Sequence, residues 1–453
     1  MTSPATDEAT QPTAGTTHDV ADGVTTGVTG QPWRATVTPW GDIYPWAGAV
    51  DGRPVRWFVA ADDRWHVPAD ETAVRQTRVD GTPVIETRLR VPDGDAVQRV
   101  WSVADGGGLT IIEIENESSR PFAVAFSGGG IVTERPTADV PIQGIDLPAD
   151  AIVLPVGHRS TVRVAIPHTS TSGTPERLVR AAPASAVANG WVAVCEQASR
   201  LALPDLSLVE AVVSARCDLL LEGPAEPGSD ALGFLFDVAH LTRLGDGAEA
   251  WLPEIVDPVA EVARSVDPRV DDVLVGLERL ALRAGDGRAA KDLSKLAARR
   301  RADAVAVQAP IDDRIRARTA ASAVIARTAL ELATESRGAY LDRIERTLVS
   351  NGDILPGGIP TAWLGANFEV HGLPTSARSS IGYAVRWHGD RPAVLWEQSG
   401  DAVTLSASAL DAAWSTSDRS GEALWKSQAV TSGSDPDVTT RRPQPGDDSV
   451  SFG

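Results

Sequence analysis

The chain has 453 residues, 42% apolar and 23% charged, with Lys+Arg 42 against Asp+Glu 61 and a net charge of −19. This is an ordinary globular balance, and the length allows two or three domains with sizeable cores. The acidic excess argues against broad binding to a nucleic-acid backbone or an anionic membrane, since either needs clustered Lys and Arg.

Met1–Gly30 is rich in Thr, Gly and Asp and lacks the basic and apolar regions of a secretory signal, so it reads as a disordered tail. No apolar run approaches the roughly 18 residues of a membrane span, and a soluble, cytoplasmic protein is expected. Only Lys291, Lys295 and Lys426 are lysines, which with the Ala, Gly, Val and Arg enrichment reads as the codon bias of a GC-rich genome.

From Trp33 to about Trp191 the pattern alternates or forms short apolar runs between turn residues. Strands are expected at 54–59, 82–91, 97–103, 109–116, 121–126 and 160–166, with Asp51-Gly52, Asp80-Gly81, Asp93-Gly94 and Asn116-Glu117-Ser118-Ser119 as turns. Strands at this spacing without helices between them predict an antiparallel β-sandwich over 31–200. From Leu206 the period becomes helical, through Val209, Val212, Val213, Arg216, Leu219 and Leu220 to the stop at Gly223-Pro224. Further helices are expected from Ser229 or Asp230 to Leu244, over 251–266 with a kink near Pro258, and over 268–284, 288–308 and 311–336. Asp312 and Asp313 suit the positive end of the last one. Short connections predict antiparallel helical hairpins over 201–350.

From Ile354 the pattern returns to β. Residues 380–387 and 392–397 flank the turn His388-Gly389-Asp390-Arg391 as a hairpin, and 402–407 adds a strand. The expected organisation is α+β and multidomain: a tail (1–30), a sandwich (31–200), helical hairpins (201–350), a β-rich segment (351–430) and a second tail (431–453).

Two stretches carry a resemblance. Gly81-Thr82-Pro83-Val84-Ile85-Glu86-Thr87 with Ile112-Glu113-Ile114-Glu115-Asn116-Glu117-Ser118 resembles the sandwich preceding the helical toroid in six-hairpin glycosidases of the glucoamylase and glycogen-debranching type. Phe368–Thr375 together with Ala384–Glu397 is similar to a β segment of bacterial, actinobacterial-looking relatives of such proteins. The resemblance implies a carbohydrate context, with an (α/α)6 toroid of twelve helices carrying acid and base carboxylates. This chain shows about six helical patterns, a partial toroid at most, and matches no family catalytic motif residue by residue.

Glycoside hydrolysis needs two carboxylates across a cleft. Glu254 and Asp257 share one helix face at i and i+3, with Glu261 extending it. Glu369 and Glu397 are the other candidate acids, and Asp237 with His240 forms another i, i+3 pair that also reads as a solvated pair. The aromatic set is lopsided, with 13 Trp beside 3 Tyr and 7 Phe. Indole faces suit the apolar C–H faces of sugar rings, although Trp also fills cores. Trp40, Asp42, Tyr44 and Trp46 lie in a Pro- and Gly-containing run that reads as a loop, and Trp387, His388 and Trp396 flank the C-terminal hairpin. These seven are the candidate sugar-binding residues.

The seven histidines have no zinc-site spacing, and no nucleotide-binding or GxSxG motif occurs, so neither metal nor cofactor is expected. Cys195 and Cys217 fit no zinc or CxxC pattern and read as buried thiols, with a disulfide as the alternative. Ten basic residues against five acidic over 283–318, including Arg299, Arg300 and Arg301, form a local basic island. Three functions stand open: a glycosidase acting on α-glucan-type oligosaccharides, a non-catalytic carbohydrate-binding or scaffold relative of one, or an interaction module docking an acidic partner through the island.

Overall fold

The computed structural model describes residues 23–46, 48–49, 51–137, 147–148, 150–169, 174–307 and 335–426. Before the first helix run β1 (Val24–Gly27), β2 (Arg34–Val37), β3 (Ile43–Pro45), β4 (Arg56–Ala60), β5 (Trp65–His66), β6 (Arg75–Arg78) and β7 (Ile85–Val91). They are followed by β8 (Gly94–Val103), β9 (Leu109–Asn116), β10 (Phe122–Ser127), β11 (Val132–Thr133), β12 (Ile152–Val156) and β13 (Thr161–Pro167). A six-stranded sheet, β11-β13-β9-β8-β7-β6, faces a four-stranded sheet, β12-β10-β4-β5, and β1-β2-β3 forms a third. All pairings here are antiparallel.

Period-two alternation explains the layering. On β9, Ile112 and Ile114 enter the core between the sheets with Val100, Val124, Phe126 and Val164. Leu109 and Ile111 point the other way, joining Trp101 beneath two helices, α1 (Pro175–Arg180) and α2 (Ala184–Cys195). Trp101 donates its indole N–H to the Ala182 carbonyl at 3.0 Å, which pins the helix pair to the sheet.

The helical layer contains α3 (Leu206–Glu222), α4 (Ala231–Arg243), α5 (Ala248–Trp251), α6 (Val256–Val262), α7 (Arg269–Arg283), α8 (Gly287–Val307) and α9 (Arg337–Leu348). Asp205, Asp230 and Ser336 cap α3, α4 and α9 by accepting from the backbone N–H three residues on, satisfying otherwise orphaned donors. α4 is apolar on nearly all sides and lies at the centre, touching α3, α6, α7 and α9. α7 buries Val270, Val273, Leu274, Leu277, Leu280 and Ala281, a helical stripe, against α4 and α8.

The remaining strands are β14 (Arg200–Ala202), β15 (Val349–Ser350), β16 (Asp353–Ile354), β17 (Phe368–Ser376), β18 (Ser379–His388), β19 (Arg391–Gly400), β20 (Leu405–Ser406), β21 (Ser415–Thr416) and β22 (Ser420–Leu424). They form a five-stranded sheet, β14-β17-β18-β19-β22, and a four-stranded one, β15-β16-β20-β21. Phe368, Val370, Tyr383, Val385 and Trp396 share one core with Leu208, Val212, Leu219, Tyr340, Leu341 and Ile344 of α3 and α9. The boundary expected at 350/351 therefore runs through a common core, and β14 crosses it again by pairing with β17.

The α+β order, with β before and after the helices, agrees with the sequence reading. Several details differ. Val24–Gly27, expected in the disordered tail, is a strand because Thr25 and Thr26 register against Thr36 and Ala35. The region expected to be pure sandwich ends in two helices, where Pro175 and Pro183 start helical turns after the last strand. The kink expected near Pro258 falls earlier, at Leu252–Ile255, and Pro258 sits in the first turn of α6, where a missing N–H costs nothing. Residues 402–407 contribute only Leu405–Ser406 as strand, and β22 was not anticipated. Residues 311–334 of the expected 311–336 helix, with Asp312 and Asp313, most of tail 1–30 and all of tail 431–453 lie outside the described residues, and Ser336, expected inside that helix, caps α9 instead.

Candidate functional site

The Trp40–Trp46 run is half strand. Pro39–Asp42 turns between β2 and β3, closed by Thr38 N–H to the Asp42 carbonyl at 2.8 Å and Gly41 N–H to the Thr38 carbonyl at 2.8 Å. Gly41 has φ +92°, and a Cβ there would meet Gln98 Oε1 at 2.3 Å, so only glycine fits. Trp40 Nε1 donates to Asp42 Oδ2 at 2.9 Å, and the Trp40 carbonyl accepts from Trp57 Nε1 at 2.9 Å. Asp42 is buried; burial pushes its carboxyl up to about 6, with the Trp40 hydrogen bond and the Arg56 charge pulling the other way. Tyr44 and Trp46 are half-buried. The loop expected to present indoles to a ligand is instead a corner of the sandwich, with Asp42 turned inward.

The C-terminal hairpin brings two of the candidate acids onto one sheet face. Glu369 registers with Ala384 and Glu397 with Gly382, so both flank β18 on its outer side. A groove of about 360 Å³ on this sheet is lined by His371, Gly382, Ala384, Trp396 and Glu397 but not by Glu369. A Cβ at Gly382 would stand 3.0 Å from His371 Nδ1, so the glycine leaves room for the imidazole. The Arg386 guanidinium, 2.8 Å from Glu369, holds that carboxyl below its usual range and thus ionised at neutral pH. Trp396 points inward, donating to the Asp418 carbonyl at 3.2 Å and packing edge-on against Trp414. Trp387 donates to the Ala366 carbonyl at 2.8 Å, and His388 is exposed at the hairpin tip.

Glu254 and Asp257 are exposed around the start of α6, far along the chain from Glu369 and Glu397 and on a different element. The other i, i+3 pair is structural. Asp237 accepts from the backbone N–H of Ala225 and of Gly338, tying α4 to the start of α9. His240 is buried, and burial first and Arg243 second keep its imidazole neutral. It neighbours Glu345, which binds Arg216 at 2.9 Å, Arg243 at 2.5 Å and the Ser199 hydroxyl at 2.7 Å. Burial alone would raise the Glu345 carboxyl, but the Arg243 and Arg216 guanidiniums hold it well below the carboxylate range. Beside this knot, Arg346 bridges Asp342 at 2.6 Å and Asp272 at 3.0 Å.

Part of the basic island is likewise structural. Arg300 bonds Asp271 at 2.8 Å and the carbonyls of Ala263, Ser265 and Asp267, closing the end of α6 onto α8. Arg283 donates to the Thr242 carbonyl, and Arg314, Arg316 and Arg318 lie outside the described residues.

A second concavity has a half-buried indole on its wall. A cleft of about 620 Å³ runs between the β1–β2 turn (Thr29, Gly30, Gln31), the end of α3 (Leu219–Glu222) and the end of α4 (Leu241–Asp246). Trp251, half-buried, forms one wall. Its Nε1 donates to Asp246 Oδ2 at 3.0 Å and its ring meets Phe234 edge-on at 6.3 Å, so the ring plane is fixed from two sides. Asp246 is positioned by the left-handed Gly245 (φ +103°) that ends α4 and by its bond to Gly247 N–H at 3.0 Å. Arg34 seals the opposite side, reaching the carbonyls of Leu221 and Gln31. The cleft is open to solvent, with an apolar floor of Val194, Leu219, Leu221 and Leu244 and polar groups around its rim.

The cleft was missed in the sequence because its residues come from four separate segments. The local signal was Trp251-Leu252-Pro253, an aromatic placed where Pro253 breaks the helix. Among the described residues no group of three or more His, Cys, Asp or Glu side chains is placed to hold a metal, and no helix is long and apolar enough to cross a membrane. Compared with known proteins, the chain matches no family model and no curated protein.

Proposed function

We propose that this chain is a glycosidase-like protein that binds α-glucan-type oligosaccharides in the Trp251 cleft without hydrolysing them, its helical hairpins being a partial α/α toroid. The observation that carries the reading is the fixed, half-buried indole of Trp251 beside the Asp246 carboxylate in the 620 Å³ cleft, which Glu222, paired with Arg337, also lines. An indole face stacks on the C–H face of a pyranose, while carboxylates and Gln31 accept or donate to its hydroxyls.

The binding reading is favoured over hydrolysis by the acids themselves. Retaining and inverting mechanisms both need one carboxyl that holds a proton near neutral pH. Glu369 is kept ionised by Arg386, and Glu254 and Asp257 stand side by side on one exposed stretch, not across a cleft from each other. The sheet groove with His371 and Glu397 supports a second reading, in which the sugar lies across β18 and those two side chains bind it.

Calorimetric titration with maltose-series oligosaccharides distinguishes the readings. Binding is expected in the parent, with Trp251→Ala weakening it at least about tenfold, or 1.4 kcal/mol, and His371→Ala leaving it unchanged. Loss of binding in His371→Ala alone moves the site to the groove. Absence of binding to every sugar overturns the carbohydrate reading, and sugar release abolished by Glu369→Gln or Glu397→Gln overturns the non-catalytic one.

A further inference from the structure

α2 and α3 each carry one cysteine, and the two sulfurs, Cys195 Sγ and Cys217 Sγ, stand 3.5 Å apart. Both side chains are fully buried, enclosed by Trp191, Val213 and Leu221. They belong to neither the cleft nor the ionic knot. A disulfide holds its sulfurs at about 2 Å, so closure asks for a movement of about 1.5 Å within a pair already facing one another.

The thiols are chemically unequal. The contact with Cys217, where either thiol can donate, and then the nearby Arg216 charge lower the Cys195 thiol from its usual value despite burial. The same contact, with burial, pushes Cys217 up. Arg216 also donates to the Cys195 carbonyl at 3.2 Å, keeping the end of α2 in place over α3. A thiolate is the form that attacks an oxidant, which makes Cys195 the first nucleophile and Cys217 the resolving group. Reagent access is short: Val194, next to Cys195, and Leu220 and Leu221, on the turn beyond Cys217, line the cleft, so loosening the last turn of α2 exposes the pair.

We infer that Cys195 and Cys217 are a redox modification site, closing into a reversible internal disulfide on reaction with a peroxide or a small-molecule disulfide. With hydrogen peroxide, the Cys195 thiolate attacks one oxygen. The O–O bond breaks, leaving a sulfenic acid on Cys195, and the released hydroxide takes up a proton as water. Cys217 then attacks that sulfur, its proton leaves with the displaced hydroxide as a second water, and the S–S bond forms. Two thiols are oxidised by two electrons and one peroxide is reduced; a dithiol reverses the reaction. The bridge spans 22 positions and joins α2, which lies on the sandwich, to α3, which opens the helical layer. It therefore staples the two layers at the back of the cleft.

The test exposes the full chain to hydrogen peroxide or oxidised dithiothreitol, then follows free thiols, peptide mass without reduction, and thermal unfolding. Expected are loss of both thiols together, a linked pair of peptides containing Cys195 and Cys217 lighter by two hydrogens, and a thermal midpoint higher by about 5 °C, all reversed by dithiothreitol. Cys195→Ser should remove the fast reaction, and Cys195→Ala and Cys217→Ala serve where a buried hydroxyl prevents folding. Thiols that stay titratable even in urea just below the unfolding transition overturn the inference. So do intermolecular dimers, stable sulfinic acid without a bridge, or an oxidised chain with no gain in midpoint.

Discussion

The sandwich and the helical layer are both dense in ion pairs and place them in opposite settings. On the outer face of the six-stranded sheet, Arg99 meets Glu86 at 2.8 Å and Glu115 at 2.6 Å, Arg163 meets Glu113 at 2.7 Å, and Arg88 meets Glu86 and Glu117 at 2.7 Å each. This ladder follows directly from strand register, since Glu86, Arg99 and Glu113 are cross-strand neighbours. Water reaches most of it, though Glu113 is buried, so each pair contributes less than a fully enclosed one. In the helical layer, Glu345 and Arg216 are 4% and 2% exposed, brought together from α9 and α3 with Arg243 of α4. There the pairing offsets a large desolvation cost, and removing one member leaves the others buried and uncompensated. The same residue types thus decorate one region and lock the other.

The largest expected effect is at the lock. Glu345→Ala strands Arg216 and Arg243 and should lower stability by about 3–5 kcal/mol in urea unfolding; a loss below about 1 kcal/mol would erase the contrast between the regions.

The second effect is in the pH profile. Burial raises the Asp42 carboxyl to about 6, so between about pH 4 and pH 6 the folded chain holds a proton that the unfolded chain has released. Stability therefore falls as pH rises through that window, and the penalty is complete above it. Asp42→Asn keeps an acceptor for Trp40 Nε1 and should match the parent near pH 4 while exceeding it near pH 7, by on the order of 2 kcal/mol. Asp272, also raised by burial to about 6, leaves a residual slope of the same sign in the variant. Identical parent and variant profiles would refute the assignment. Smallest is Arg99→Ala, expected to cost no more than about 1 kcal/mol although it contacts three carboxylates, and to cost less still in high salt.

The sandwich was the legible half. Leu109–Asn116 matches its strand end to end, and Asp93-Gly94 marks the β7–β8 turn, because register and turn chemistry are local. The Ser380–Glu397 hairpin was equally plain. The ionic knot and the cleft were not, since nothing near Arg216 in sequence announces Glu345, 129 positions away. Tryptophan count misled for a related reason: Trp57, Trp101 and Trp425 are fully buried, and composition does not tell an indole that fills a core from one that lines a cleft. α9 was signalled by Ser336 followed by Tyr340, Leu341, Ile344 and Leu348, a cap and a helical stripe that the sequence reading passed over.

The most direct test of a sugar-binding cleft is fluorine NMR of the chain labelled with 5-fluorotryptophan, with the Trp251 signal assigned by its absence in Trp251→Phe. On titration with maltoheptaose the Trp251 resonance should shift and saturate, while those of the buried Trp57, Trp101 and Trp425 stay fixed. A Trp251 signal that does not move while other signals saturate, or a spectrum unchanged throughout, would contradict the account.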